Sequence, residues 1–81
     1  MIVTVRLFAT IKDAAGIEAS WFTLPPGARG LDVQAALLER YPRLNGLLAS
    51  SRMARNLEYQ SWETPLDDGD EVCIIPPVSG G

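Results

Sequence analysis

Few residues of this 81-residue chain could carry covalent chemistry, and they concentrate near its C-terminal end. The chain has no histidine, and its one cysteine, Cys73, stands between Val72 and Ile74 in an apolar run that is typical of a packed, inert thiol. The sequence closes on Gly80-Gly81. Because glycine has no Cβ, the terminal carboxylate is open to attack from both faces. We therefore expect Gly81 to be the reactive residue, and we expect no metal site.

The residues before the two glycines form an apolar stalk stiffened by proline. Pro76 and Pro77 have fixed φ angles and lack an N–H group, so they are expected to end a strand and direct the chain away from the domain. Val78 and Ser79 then lead to the glycines. This pattern predicts a folded domain over residues 1–75 and an extended tail over residues 76–81. A merely frayed terminus is the alternative interpretation.

Composition and charge are those of one ordinary soluble domain, with 47% hydrophobic and 21% charged residues. Seven Lys and Arg against ten Asp and Glu give a net charge of −3. That sign disfavours nucleic acid and anionic membranes as partners and favours a basic protein surface. No apolar run approaches the roughly 18 residues of a membrane span. A single cysteine and the lack of a signal peptide predict a cytoplasmic location.

Alternating apolar residues, together with β-branched and aromatic residues, predict five strands. These strands cover residues 2–8, 17–24, 53–56, 59–62 and 71–75. The pattern is clearest in the first strand, which places Val3, Val5 and Leu7 on one face and Thr4 and Arg6 on the other. A turn rich in Asp and Gly precedes the last strand.

Two helices are predicted between the strands. A short helix over residues 11–15 would have Thr10 as its N-cap and would end at Gly16. The main helix would have Asp32 as its N-cap and would end before Pro42, with an apolar stripe at helical spacing. A further helical turn is expected among the leucines that follow. The order of elements predicts one α+β domain.

Residues 66–81, LDDGDEVCIIPPVSGG, resemble the C-terminal end of the small-subunit family of molybdopterin synthase, within the ubiquitin-like superfamily. Three other matches to the family are Leu7-Phe8-Ala9, Ala15-Gly16 and Tyr41-Pro42. The resemblance covers nearly the whole chain, and the acidic turn followed by Pro-Pro-Val-Ser-Gly-Gly is its most specific part. The chain departs from the family at Arg55, before Asn56, where an apolar residue is more usual.

The resemblance implies a β-grasp fold, in which the first and last strands lie side by side in a mixed sheet packed on the main helix. It also implies a sulfur carrier. In that family a ubiquitin-activating-type adenylating enzyme uses ATP to adenylate the terminal carboxylate, and a sulfur donor converts the adenylate to a thiocarboxylate, which Gly81 would hold here. The tail would enter the large synthase subunit, where sulfur passes to a cyclic pyranopterin precursor during molybdenum cofactor biosynthesis.

The same resemblance implies that the carrier binds no cofactor and that the catalytic groups belong to the large subunit. Two small subunits would lie at opposite ends of a dimer of the large one, forming a heterotetramer. The tail residues Pro76, Pro77, Val78, Ser79 and Gly80 would contact the partners.

Two groups outside the tail are candidates for partner contacts. Phe8, Met53, Tyr59 and Ile75 could form an apolar patch beside the tail, because exposed apolar patches on small domains often mark partner sites. The alternative is that most of them belong to the core. Asp70 in the acidic turn could contact basic residues of a partner, or it could belong to a solvated turn.

Three classes of function stay open. The first is the sulfur-donor subunit of a two-subunit transferase. The second is a sulfur carrier for another pathway, such as thiazole, cysteine or tRNA thiolation, or a ubiquitin-like tag joined to lysines, and assays with different acceptors would separate these from the first. The third is a plain binding module with an idle tail, which predicts that removing Gly80 and Gly81 changes nothing.

Overall fold

Five strands and two α-helices form the fold of residues 1–77, which are the residues that the computed structural model describes. The strands are β1 (Ile2–Leu7), β2 (Ala19–Thr23), β3 (Arg52–Arg55), β4 (Glu58–Gln60) and β5 (Glu71–Ile75). The helices are α1 (Ala9–Ala15) and α2 (Gly30–Arg40), followed by 3₁₀ turns at Pro42–Leu44 and Leu48–Ser50. Within this part of the chain, no helix has both the length and the apolar character needed to cross a membrane.

The strands form one mixed sheet in the order β2-β1-β5-β3-β4. β1 is parallel to β5, and Val5 lies opposite Val72. β2 is antiparallel to β1, and β3 is antiparallel to both β4 and β5. The first and last strands therefore lie side by side at the centre of the sheet, as the family resemblance implies.

One face of the sheet packs on the helices and forms the core. The predicted inward face of β1 is confirmed, because Val3, Val5 and Leu7 are all buried. From α2, Val33 and Leu37 pack into the same cluster. The opposite face, which we call the open face, carries Arg6 and Cys73 in register on neighbouring strands.

Both helices begin earlier than the sequence predicts. α1 begins at Ala9, so Thr10 lies inside the helix and not at its N-cap. α2 begins at Gly30, which makes Asp32 its third residue. The first N–H groups of α2 find acceptors in the chain segment before β5: Gly30 N–H donates to the carbonyl of Thr64 and Leu31 N–H to that of Trp62, at 3.2 and 2.8 Å.

These two tertiary hydrogen bonds replace the side-chain cap that the sequence pattern suggested. Asp32 still stabilises the start of α2, because its carboxylate accepts a 2.7 Å hydrogen bond from the Arg29 N–H. The predicted end of α1 is confirmed: Gly16 adopts a left-handed conformation with φ 78° and donates its N–H to the Lys12 carbonyl.

The hairpin of β3 and β4 begins one residue earlier than predicted, and β4 ends at Gln60, two residues before the predicted end. Asn56 and Leu57 have φ angles of 48° and 73° and form a two-residue turn, so pairing resumes at Glu58. Trp62 lies outside β4, and its indole N–H donates to the Ser51 carbonyl at 3.1 Å. The predicted last strand, residues 71–75, is confirmed at both ends.

Candidate functional site

The base of the tail lies at the centre of the sheet. β5 lies between β1 and β3, and its last residue is Ile75. Pro76 is half-buried, Pro77 is exposed, and neither belongs to the strand, so the prediction that proline ends β5 is confirmed. Val78, Ser79, Gly80 and Gly81 lie outside the described residues, and their predicted contacts and chemistry stay predictions.

Two of the residues proposed for an apolar patch lie together beside the tail base. Leu7 lies opposite Ile74, which brings Phe8, with 43% of its surface exposed, next to half-buried Ile75. On β3, Arg52 lies opposite Ile75 of β5. The Arg52 guanidinium stacks 4.3 Å from the centroid of the Tyr59 ring. We call Phe8, Tyr59 and Ile75 the tail-end patch.

Met53 does not belong to the tail-end patch, and that part of the prediction is wrong. It lies opposite Ile74 on the core face of the sheet, and none of its surface is exposed. Because strand side chains alternate between faces, the neighbour that reaches the open face is Ala54, which lies opposite Tyr59. The sequence of this four-residue strand, RMAR, does not indicate whether Met53 or Ala54 faces the core.

Asp70 has a structural role that argues against the predicted partner contact. Only 7% of its surface is exposed, and its carboxylate accepts hydrogen bonds from Arg55 Nε at 2.7 Å, from Asn56 Nδ2 at 3.1 Å and from the Asp67 N–H at 2.8 Å. Burial alone would raise the pKa of Asp70, but these three hydrogen bonds and the Arg55 charge hold it below its ordinary value. The charged carboxylate therefore holds the turn in place.

Arg55, which departs from the family pattern, is the central cation of this turn. Its Nη2 also donates to Asp67 at 2.7 Å, so one guanidinium joins two carboxylates of the acidic segment. Asn56 extends the network to β5: its N–H donates to the Glu71 carbonyl at 2.9 Å, and its side-chain oxygen accepts from the Glu71 N–H at 3.0 Å. Sequence reasoning did not predict this hydrogen-bond network, and the unusual arginine at position 55 was the one signal that could have indicated it.

Cys73 is buried on the open face, between Arg6 of β1 and Ala54 of β3. Burial raises the pKa of its thiol, and the neighbouring Glu71 carboxylate raises it further. The thiolate is therefore disfavoured at neutral pH, in agreement with the prediction of a packed side chain. Within residues 1–77, no group of three or more potential ligand side chains could hold a metal ion.

The mixed sheet, the main helix laid across it and the central last strand that leads into the tail define a ubiquitin-like β-grasp domain. Residues 5–81 match the model of the ThiS family. The chain belongs to the ThiS family.

Relatives in sequence and in structure agree with this assignment. The chain is 39% identical to the molybdopterin synthase sulfur carrier subunit of Chlamydomonas reinhardtii, with all of both chains covered. The solution structure of small archaeal modifier protein 1 (SAMP1) from Methanosarcina acetivorans has a TM-score of 0.84 and 31% identity, with 99% of this chain and 96% of that one covered.

The chain also matches a solved complex of subunits 1 and 2 of the molybdopterin-converting factor from Helicobacter pylori. This match has a TM-score of 0.70 and 33% identity, with both matched chains fully covered. Together these findings confirm the resemblance and the β-grasp fold.

Proposed function

We propose that this chain is the sulfur-carrier subunit of a molybdopterin synthase, acting in the cytoplasm as the small subunit of a heterotetramer. The observation that carries the proposal is the 39% identity to the Chlamydomonas sulfur carrier subunit over the full length of both chains. The matched Helicobacter complex supports a two-subunit assembly. The large synthase subunit would supply the catalytic groups, and this chain would supply the sulfur.

The chemistry would take place at the carboxylate of Gly81. A carboxylate is a poor electrophile, so one of its oxygens first attacks the α-phosphorus of ATP on a ubiquitin-activating-type enzyme, and pyrophosphate leaves. A sulfur donor then displaces AMP and produces a thiocarboxylate. This thioacid is ionised at neutral pH, and its sulfur is a soft nucleophile that would attack the cyclic pyranopterin precursor on the large subunit. Water would then cleave the acyl–sulfur bond, which leaves the sulfur on the precursor and restores the Gly81 carboxylate. Covalent carriage thus divides one difficult transfer into easier steps.

The described domain suits a protein that presents a tail to other enzymes. The tail starts from the central strand of the sheet, where Ile74 pairs with both β1 and β3 and Ile75 pairs with Arg52 of β3. Phe8 is exposed beside this point and gives a partner an apolar area to bury near the tail. A partner could therefore align the tail by binding the tail-end patch.

The first test is the intact mass of the protein after incubation with its adenylating enzyme, ATP and a sulfur source. We expect the mass gain of one sulfur-for-oxygen exchange. The matched control is the chain without Gly81, which should gain nothing. An unchanged mass, with an enzyme proven active on another carrier, would contradict the proposal and favour a plain binding module.

A second candidate function is a ubiquitin-like modifier that becomes joined to lysines. The similarity to the archaeal modifier from Methanosarcina acetivorans favours it. Incubating the activated chain with cell extract separates the two functions: conjugates that resist thiol reductants favour the modifier, whereas sulfur delivered to the pyranopterin precursor favours the synthase subunit. Acceptors from thiazole, cysteine and tRNA thiolation test the remaining carrier functions in the same assay.

A further inference from the structure

One exposed arginine at the tail end of the sheet has no counter-charge within the described part of the chain. Arg52 is the first residue of β3 and lies opposite Ile75, the last residue of β5. Its side chain is exposed, and no carboxylate of residues 1–77 lies within ion-pair distance of it. Arg6 and Arg55, in contrast, are paired with carboxylates at 2.9 and 2.7 Å. Arg52 therefore places an uncompensated positive charge beside the base of the tail.

The ring of Tyr59 holds this charge in place. Ala54 lies opposite Tyr59, so Arg52 and Tyr59 are diagonal neighbours on the open face of the sheet. The Arg52 guanidinium lies 4.3 Å from the centroid of the ring, which is a cation–π contact. Stacking occupies one flat face of the guanidinium and leaves the N–H groups at its edge available as donors. The arginine is thus preorganised to bind an acceptor from outside the domain.

A partner that takes up the tail would also bury Arg52. The tail-end patch contains both Tyr59, on which Arg52 stacks, and Ile75, which lies opposite Arg52. A surface that covers this patch therefore covers the guanidinium and removes its water. A desolvated charge is strongly unfavourable unless an opposite charge takes the place of the water. The partner must then supply the anion.

Chain length identifies where this anion lies on the partner. Residues 76–81, extended into a partner at about 3.3 Å per residue, would carry the Gly81 carboxylate roughly 20 Å from Ile75. The Arg52 guanidinium, held against Tyr59, does not reach that far. The anion is therefore neither the reacting carboxylate nor the substrate that it meets. It is an Asp or Glu side chain at the entrance of the site that takes the tail, where a guanidinium can bind a carboxylate through two parallel hydrogen bonds.

We propose that Arg52, held by Tyr59, pairs with a carboxylate of the large synthase subunit at the entrance of the site that receives the tail. This inference rests on the proposed function. The large subunit is the partner because it forms a lasting assembly with this chain, and a buried ion pair mainly slows dissociation. The activating enzyme, in contrast, must release the chain after each loading. Arg52 is thus a positioning residue that fixes the tail base and selects a large subunit with the matching charge.

The test measures the Kd of the full chain for the large subunit of the same organism. Arg52→Ala should raise the Kd about thirtyfold, because it leaves the partner's carboxylate buried without a cation. Arg52→Glu should raise it further, and Arg52→Lys should restore part of the affinity. The unfolding temperature should change little, since the side chain is exposed. The matched control is Arg43→Glu, at an exposed arginine of the 3₁₀ turn after α2, which should bind like the wild type.

Two further sets of variants test the ring and the predicted carboxylate. Tyr59→Phe keeps the ring and should bind like the wild type, whereas Tyr59→Leu keeps an apolar side chain but should raise the Kd about tenfold. Replacing the acidic residues of the large subunit by lysine, one at a time, should identify one change that restores binding of Arg52→Glu. Wild-type affinity of both Arg52→Ala and Arg52→Glu would overturn the inference. Failure of every lysine replacement to restore binding would also overturn it.

The wild-type chain distinguishes this failure from failure of the proposed function. If the wild type acquires sulfur and binds the large subunit, but the Arg52 variants bind equally well, the inference alone fails. If the wild type acquires no sulfur or does not bind the large subunit, the proposed function fails and the inference fails with it.

Discussion

The two ends of β5 are held by different kinds of contact. At the start of the strand, Asn56 makes two hydrogen bonds to the backbone of Glu71, and Asp70 accepts three hydrogen bonds in the preceding turn. At its end, Ile75 follows the last residue that pairs with β1, exposed Phe8 follows the end of β1, and Pro76 has no N–H to donate. Directional polar contacts fix the position and register of the strand, while the proline stops its pairing.

Because of this difference, we expect residues at the start of β5 to determine the stability of the fold and residues after its end to carry the chemistry. A substitution at the start of β5 should mainly lower stability, because it removes hydrogen bonds that the fold depends on. A substitution in the tail should mainly remove function, because the buried core residues that the structure describes lie between Val3 and Ile74.

Replacing Gly81 with tryptophan, or adding one residue after it, should abolish sulfur loading. Under the proposed function, a bulky side chain would obstruct the approach of the reactants to the terminal carboxylate, and an added residue would move the carboxylate away from the reacting position. Intact mass measures loading, and thermal unfolding should remain that of the wild type. The control carries the same extra residue at the N-terminus. Normal loading of the Gly81 variants would end the assignment of chemistry to the tail.

Asp70→Ala should lower the free energy of unfolding by about 2 kcal/mol, since it removes three hydrogen bonds from a buried carboxylate. For a domain of this size, the melting temperature should fall by roughly 10 °C. Sulfur loading well below that temperature should be normal. Asp13→Ala, at an exposed position of α1, is the matched control and should change stability little. A stable Asp70→Ala variant that fails to load would restore the partner contact predicted for Asp70.

Stability should also depend on pH through Asp70. The pKa of this carboxyl is lowered in the folded state, so its contribution is fully present above the unfolded-state pKa of about 3.9 and is lost as the pH falls through the lower folded value. Melting temperatures measured from pH 6 down to pH 2 should therefore fall less steeply for Asp70→Asn than for the wild type. Parallel curves for the two proteins would show that another carboxyl dominates acid unfolding.

The sequence predicted the elements that depend on local pattern. Alternation located β1, and glycine located the end of α1, because both signals lie within a few neighbouring residues. α2 begins earlier than predicted because residues distant in sequence accept its first hydrogen bonds: the carbonyls of Thr64 and Trp62 bind its first N–H groups. Sequence spacing does not reveal such partners, so the prediction placed the N-cap at Asp32, two residues inside the helix.

The same limit applies to the candidate site. The tail could be predicted because its chemistry lies in consecutive residues. The sequence makes Asp70 a candidate for a partner contact, with a solvated turn as the alternative, whereas only the sheet order brings Arg55 and Asn56 to its carboxylate. The sequence leaves Met53 either in the apolar patch or in the core, because a four-residue strand does not show which of its faces meets the core.

Cys73→Ala should change the chemistry least, although Cys73 lies in the strand that joins the two ends. Its thiol is buried and its pKa is raised, so its thiolate is disfavoured and we expect it not to carry sulfur. Alanine should fit with a loss of about 1 kcal/mol or less, because only one sulfur atom is removed. Loading and transfer should match the wild type. Loss of transfer in a folded Cys73→Ala variant would instead place a sulfur-carrying residue within β5 and make the separation along the strand untenable.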